Sequence, residues 1–515
     1  MQRQTGMKKV WYQGRRGRWL RFISLIVVVL GLLTAGMDRK PALAQEALHY
    51  TELEFPPLPE LTIPEYEQFQ LENGLTVYLM EDHELPLVGG QLLVNAGDRL
   101  VPTEQTGLTT IVGEGIRLGG STDFSADDLN EFLEQRAASI ESGMGPASGS
   151  LGFSSLTGDL PDVFERFVSL AQSPAFPQDK IDLLKRQIEG GIARRNDNPG
   201  SIARREFNKL IYGADSPYAR VAEYRTIANI TRDDVVSFHD RYFYPSNMLL
   251  SVYGDFEPTE MRALIEQRFS AWQDSPEKAM AELPASTVSS AITQQTPGGV
   301  FFVDQPQLTQ SSVLFGHLGG QRDNPDYPAL TVMNQVLNGL GGRLLNEVRS
   351  RQGLAYSVYA VWAARYDYPG IFIAGGETRS DATVPFVEST IGEIETIQRE
   401  PITEAELAQA KDSVLNSFVF NFQSPSQVLS RVVTYDFYDY PEDFIFQYRR
   451  AVESTTVEDI QRVAQEYLKP ENLVILVVGN SEAIAPPLST LTDGSNVTPL
   501  DISIPEPDVA VSGTV

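Results

Sequence analysis

The stretch that decides the fold occurs twice. Residues 230–255 read ITRDDVVSFHDRYFYPSNMLLSVYGD, and residues 455–480 read TTVEDIQRVAQEYLKPENLVILVVGN, at a constant offset of 225 positions. Each copy has a Thr before an amphipathic pattern, a Pro-x-Asn turn and an apolar run closed by Gly, which predicts a capped helix, a turn and a strand. The residues shared by both copies are Thr231/Thr456, Asp234/Asp459, Tyr242/Tyr467, Pro245/Pro470, Asn247/Asn472, Val252/Val477 and Gly254/Gly479.

The sequences that precede the two copies also correspond. NGLTVYLMED (residues 73–82) and GGVFFVDQP (residues 298–306) are short β-rich runs, and each is followed by a longer predicted strand and a helix. In the first half, Ser125 with Asp128 three residues later predicts the start of one such helix. A repeat of this length indicates a duplicated structural unit. We therefore predict the α+β class, with two homologous mixed α/β domains over residues 65–275 and 298–481.

The other segments are interpreted from composition. Residues 1–45 contain nine Lys or Arg, one acid, the apolar run FISLIVVVLGLL and an A-x-A site at Ala42 and Ala44, which together predict a signal peptide and export to the periplasm or another extracytoplasmic space. An uncleaved membrane anchor is the alternative. Residues 46–64 are a Pro-rich N-terminal arm, residues 276–297 are a linker, and residues 482–515 are expected to form a flexible tail.

Charge and cysteine content exclude several classes of function. The formal net charge of -27 argues against nucleic acid and anionic membrane surfaces as partners. The absence of cysteine excludes disulfides, thiol catalysis and cysteine-ligated zinc. The four histidines (His49, His83, His239 and His317) are far apart in sequence, and we interpret each as a surface or packing residue rather than a ligand. We expect no cofactor in this chain.

The sequence resembles the pitrilysin/insulinase-type (inverzincin) metallopeptidases, a family that includes the mitochondrial processing peptidase. The most specific landmark is GLGGRLLNEVRSRQGLAYSVYA at residues 339–360, supported by SPYAR at residues 216–220 and by the first copy of the repeat. The resemblance covers about residues 65–480. It implies paired domains that form a clamshell over a peptide.

Active members of that family carry H-x-x-E-H on a helix, where two His bind Zn²⁺ and the Glu polarises a zinc-bound water. The same register in GLTTIVGEGIRLGG (residues 107–120) places Thr110 and Glu114 at the ligand positions and Gly113 at the base position. The third ligand position falls near Gly190–Gly191. This degenerate motif predicts no metal site, and we expect the motif glycines to be tolerated because nothing needs to be held there.

A second family feature is retained. Arg349 precedes Tyr356 by seven residues in VRSRQGLAYSVY. The resemblance implies that such a pair reaches the substrate above the zinc, where a guanidinium and a phenol can bind the scissile carbonyl and its oxyanion. Arg351 does not fit the spacing. A solvated Arg and a packed Tyr are the alternative interpretation.

The lost zinc motif and the retained pair together predict the Arg/Tyr subunit of a two-chain bacterial peptidase. Its expected partner is a paralogous zinc-motif subunit that supplies the zinc, with a peptide as substrate, and a homodimer is the alternative assembly in isolation. We expect no proteolysis by the chain alone. A non-enzymatic scaffold and a peptide-binding protein of the same fold are the competing hypotheses.

Overall fold

A computed structural model describes residues 63–275, 292–339, 341–492 and 496–506. The predicted signal peptide, nearly all of the N-terminal arm with His49, and residues 276–291 of the predicted linker lie outside the described residues. The described residues belong to one compact unit. Within them, no helix has both the length and the apolar character needed to cross a bilayer.

The N-terminal half contains a six-stranded sheet with the order β1-β2-β6-β3-β5-β4. Strands β2 and β6 are parallel, and the other neighbours are antiparallel. The strands are β1 (Glu67–Gln70), β2 (Thr76–Glu81), β3 (Leu87–Val94), β4 (Ser139–Met144), β5 (Gly149–Leu156) and β6 (Met248–Gly254).

The C-terminal half contains a second six-stranded sheet, with the order β12-β7-β11-β8-β10-β9. Its strands are β7 (Gly299–Asp304), β8 (Gln310–Leu318), β9 (Ala355–Ala363), β10 (Ile371–Arg379), β11 (Val474–Gly479) and β12 (Thr498–Pro499). The parallel pair β7–β11 occupies the place of β2–β6, and β6 and β11 both end at the glycine of the repeat. The duplicated α+β fold expected from the sequence is therefore confirmed.

Helices accompany both sheets. Those of the N-terminal half are α1 (Leu108–Gly119), α2 (Ala126–Arg136), α3 (Leu160–Gln172), α4 (Gln178–Ala193), α5 (Pro199–Tyr212), α6 (Tyr224–Asn229), α7 (Arg232–Tyr242) and α8 (Pro258–Phe269). Those of the C-terminal half are α9 (Tyr327–Asn338), a π-helical segment (Leu345–Arg351), α10 (Thr383–Arg399), α11 (Glu404–Phe418), α12 (Pro425–Phe437), α13 (Phe444–Ser454) and α14 (Val457–Tyr467).

The two copies of the repeat form the same local structure. Helices α7 and α14 each begin with a capping box. In each box the Thr side chain accepts a hydrogen bond from the backbone N–H of an Asp, and the Asp side chain accepts one from the backbone N–H of the Thr. Such caps satisfy amide groups that a helix start leaves without partners. Each helix is then followed by a short 3-10 turn, Pro245–Asn247 or Pro470–Asn472, that leads into a buried strand.

The two halves exchange helices. Helix α5 of the N-terminal half buries Phe207 against a cluster that includes Phe301 and Leu476 of the C-terminal sheet. Helix α12 of the C-terminal half buries Leu429 against a cluster that includes Tyr78 of the N-terminal sheet. The tyrosine hydroxyl also donates to Asp436 Oδ2 at 2.6 Å. Each sheet is therefore covered on one face by a helix that the other half supplies.

The segment expected to be a flexible tail makes defined contacts where it is described. Strand β12 adds to β7 as a parallel edge strand, and Leu500 N donates to Phe302 O at 2.8 Å. Asn196 Nδ2 donates to Ile502 O at 2.7 Å. In the described part of this segment, apolar residues pack against a sheet edge and helix α5. The composition had instead led us to expect a flexible tail.

Candidate functional site

Helix α1 carries the residues predicted to correspond to the zinc motif. It begins after Gly107, whose φ of 107° is a left-handed conformation suited to glycine. Its apolar stripe is fully packed, since Leu108, Ile111 and Val112 are at most 4% exposed. The stripe belongs to the core of the N-terminal half. Thr109 Oγ1 also donates to the carboxylate of Asp98, and burial raises the pKa of that carboxyl group.

The three motif positions have different surroundings. Thr110 is half-buried, Gly113 is buried and Glu114 is exposed on α1. The helix packs against β4 on one side and α4 on another. Gly190 and Gly191 lie near the end of α4, and a Cβ added to either would meet no atom within 4 Å. The third ligand position therefore offers open space and no side chain.

The donor set at α1 does not fit a zinc ion. Zinc sites of this kind use His and carboxylate ligands, whereas the equivalent positions hold a hydroxyl, a carboxylate and two glycines. Across the residues that the structure describes, no group of three or more His, Asp or Glu is arranged to hold a metal.

The structure corrects the explanation of the motif glycines. A Cβ on Gly113 would lie 2.6 Å from the backbone N of Met144 on β4, a contact too short to exist without movement of the strand. Ser142 Oγ donates to Gly113 O at 2.5 Å, and Arg117 Nε donates to Ile140 O at 2.8 Å. The glycine at the base position is thus needed for close packing of α1 on β4, rather than merely tolerated.

We expect Gly113→Ala to lower the free energy of unfolding by about 1–3 kcal/mol, the usual cost of forcing a methyl group into a well-packed site. Urea denaturation followed by circular dichroism measures this change in the free energy of unfolding. Gly190→Ala is the matched control: it lies on a helix with open space around it, so it should stabilise by up to about 1 kcal/mol. Equal stability of Gly113→Ala and wild type would contradict the packing argument.

The histidines in the described residues are held by structural contacts. His83 Nδ1 lies 2.7 Å from Asp255 Oδ1 at the surface. His239 is buried, stacks on Phe243 at 4.4 Å and bonds to Ala171 O. His317 is buried, accepts from Lys469 N at 3.1 Å, and burial lowers its pKa. These contacts agree with the interpretation of the three as surface or packing residues.

The segment that carries Arg349 follows a break in the helix. Helix α9 ends at Asn338 and is followed by Gly339, and Gly342 N donates to Gly339 O at 2.6 Å within a tight turn. The next residues form the π-helical segment, a geometry that is rare and frequent at functional sites. Val348 is fully buried and anchors it, while Arg349 on the neighbouring position is exposed.

Arg349 and Tyr356 lie together. Gly353, with φ of 64°, turns the chain between the π-helical segment and β9, the edge strand that carries the tyrosine. The guanidinium carbon of Arg349 lies 4.8 Å from the centroid of the Tyr356 ring. The tyrosine is 82% exposed, so its ring is not part of the core of the described residues. Both polar ends are accessible to an external group, and neither is hydrogen-bonded through its side chain to another described residue.

One ion pair near this site was not anticipated. Arg343 donates to both carboxylate oxygens of Glu406, at 2.7 and 3.2 Å, and so ties the start of the π-helical segment to α11. Burial alone would raise the pKa of Glu406, but hydrogen bonds from Arg343 and Thr403 outweigh it and lower the pKa to about 2. The spacing of Thr403 and Glu406 is a capping-box signature, so the start of α11 could have been found from sequence, whereas the bond from Arg343, 63 positions away, could not.

We expect Glu406→Gln to lose about 1 kcal/mol of stability at pH 7, after allowance for solvent screening of a partly exposed pair. The carboxylate has a lowered pKa in the folded state, so its contribution is complete above pH 4.5 and is lost as the pH falls to about 2. Urea denaturation at several pH values should show the difference between variant and wild type shrinking across that window. The exposed Asp412 on α11 supplies the control variant Asp412→Asn, and a difference independent of pH would contradict the assignment.

The duplicated two-sheet fold is shared with solved structures of peptidase-like proteins. Residues 229–414 match the family described as "Peptidase M16 inactive domain". An "Uncharacterized zinc protease" of Rickettsia felis is 22% identical, over 68% of this chain and 82% of that protein. Residues 229–414 are therefore similar to the inactive domain of M16 peptidases, which agrees with the resemblance to pitrilysin/insulinase-type peptidases.

Solved structures share this fold. A peptidase M16 inactive domain from Pseudomonas fluorescens superposes with a TM-score of 0.71 at 23% identity, over 82% of this chain and all (100%) of that one. The periplasmic protease PqqL from Escherichia coli gives a TM-score of 0.68 at 16% identity, over 88% of this chain and 50% of that one. This chain therefore spans half of PqqL.

Proposed function

We propose that this chain is the catalytically incomplete subunit of an extracytoplasmic zinc metallopeptidase. It supplies Arg349 and Tyr356 to the zinc site of a paralogous subunit, where they bind the carbonyl oxygen of the scissile peptide bond. The observation that carries the proposal is the exposed Arg349–Tyr356 pair, with its guanidinium 4.8 Å from the ring centroid. The periplasmic location of PqqL supports an extracytoplasmic site of action.

The roles of the two side chains follow from their chemistry. The guanidinium has several N–H donors in a fixed planar array and stays charged at any physiological pH. The phenol of Tyr356 adds one further hydrogen-bond donor from strand β9. A carbonyl oxygen gains negative charge when water adds to its carbon, so donors aimed at that oxygen bind the transition state more tightly than the substrate. Neither residue activates water, and the zinc-bearing subunit must do so.

We expect the purified chain to show no peptide hydrolysis alone and to increase the activity of a zinc-motif paralogue from the same genome when the two are co-expressed. Activity of the mixture should be lost with a zinc chelator and restored by zinc. The measurement is cleavage of a fluorogenic peptide library by each chain alone and by the pair. Chelator-sensitive hydrolysis by this chain alone would contradict the proposal, and stable pairing without any gain in activity would favour a scaffold.

A further inference from the structure

A cavity of about 300 Å³ lies among helices α9, α11, α12 and α13, apart from α1 and from Arg349. Two arginines, Arg322 and Arg431, line it, and none of its thirteen lining residues is acidic. The chain as a whole has 68 acidic residues against 41 basic ones, so a cavity with this charge is unlike the rest of the molecule. We call it the two-arginine cavity.

Neither arginine has a counter-charge among the described residues. Arg322 stacks on the ring of Tyr366 at 4.4 Å and donates to its hydroxyl at 3.0 Å. Arg431 donates to Asn421 and, at 3.5 Å, to the hydroxyl of Tyr435, while its Nε is buried without a hydrogen-bond partner. All of these acceptors are neutral. Guanidinium groups placed in this way favour an anion that can accept several N–H bonds at once.

The walls of the cavity are aromatic. Its lining includes Tyr327, Phe418, Tyr435, Phe444 and Tyr448. Burial raises the pKa of the Tyr435 and Tyr448 hydroxyls, so both remain protonated near neutral pH and can donate hydrogen bonds. An apolar group enclosed by these aromatic walls would be removed from water, and an anionic group would be held by the arginines. A volume of about 300 Å³ is at the small end of the range for ligand pockets.

We propose that the two-arginine cavity binds a small organic carboxylate with an aromatic or branched apolar body. The carboxylate accepts from Arg322 and Arg431, and the apolar body packs on the aromatic walls. A free carboxylic acid and the C-terminal residue of a peptide share this chemistry. The site is separate from the Arg349–Tyr356 pair, so it can be tested without a partner subunit and independently of the proposed peptidase role.

The test is titration of the full mature chain with 3-phenylpropionate by isothermal calorimetry, beside its uncharged amide and inorganic phosphate. We expect the acid to bind at least tenfold more tightly than the amide or phosphate. Equal affinity for acid and amide would overturn the proposal, as would no binding of the acid. Phosphate binding as tightly as the acid would mean an adventitious ion only and would also overturn it.

Variants locate the binding. Arg431→Gln should weaken binding of the acid at least tenfold and remove its advantage over the amide, whereas Arg399→Gln, on the exposed side of α10, should change neither. Unchanged binding by a folded Arg431→Gln would overturn the assignment. Arg431→Lys is the milder variant if the glutamine disrupts folding, and it should weaken binding severalfold. An acetylated dipeptide ending in Phe, titrated as acid and as amide, then shows whether a peptide C-terminus enters the cavity or only the free acid does.

Discussion

Replacing Arg349 with alanine and Tyr356 with phenylalanine together should lower kcat/KM of the two-chain peptidase by about a thousandfold. Removing one donor to an oxyanion typically costs a hundredfold to a thousandfold, or about 3–4 kcal/mol of transition-state stabilisation. The two donors are adjacent and are proposed to act on the same oxygen, so their single effects should not add fully. The loss should fall mainly on kcat because the oxygen gains its charge only as the reaction proceeds.

Single variants separate the two contributions. Tyr356→Phe keeps the ring beside the guanidinium and removes only the hydroxyl. Arg349→Lys keeps the charge and removes the planar array of donors, so it should restore little of the activity lost in Arg349→Ala. A residue that merely holds the strand in place would tolerate both conservative changes. Steady-state kinetics of the reconstituted complex, at saturating concentration of this chain, measures all of them.

The control lies in the same π-helical segment. Arg351 is two residues from Arg349, is also exposed, and forms an ion pair with Glu347. Arg351→Ala should leave kcat/KM within about twofold of wild type, because loss of an exposed ion pair is worth at most about 1 kcal/mol of stability. Full activity of the Arg349→Ala/Tyr356→Phe complex, or an equal loss in Arg351→Ala, would refute the assignment of the pair.

The sequence was informative wherever local signals decide structure. The sequence identifies the capping residues Thr231 and Thr456, the glycines that end β6 and β11, and the turn residues between them. Each of these signals acts over only three or four positions. The sequence also identifies the spacing of Arg349 and Tyr356, which a short turn at Gly353 brings together. These features define the duplicated fold and the candidate site.

Contacts between distant segments could not be predicted from the sequence. Gly113 is explained by the backbone of Met144, which lies on a strand formed 31 positions later. The two-arginine cavity depends on Arg322 and Arg431, which are far apart in sequence and meet only through packing of several helices. The repeat also suggested two separate domains, because periodicity shows that a helix has an apolar face but not which sheet it covers. The exchange of α5 and α12 therefore required the structure.

That exchange leads to the second large effect. Phe207→Ala should lower the free energy of unfolding by about 3–5 kcal/mol, the usual cost of removing a fully buried aromatic side chain. Phe207 is 0% exposed and belongs to a helix of the N-terminal half, yet its cluster contains residues of the C-terminal sheet. Because each sheet depends on a helix from the other half, we expect both halves to lose stability together in one cooperative transition.

Urea denaturation of Phe207→Ala, followed by circular dichroism and by hydrogen exchange, can separate this outcome from a local one. Ser201→Ala is the matched control, since Ser201 is exposed on the same helix, and it should change the midpoint little. Hydrogen exchange should show reduced protection in β2 and β6 of the N-terminal sheet as well as in β8 and β11. Loss of protection confined to the C-terminal sheet would mean that the halves are independent, and the exchanged helices would then be surface attachments rather than the elements that join the two domains.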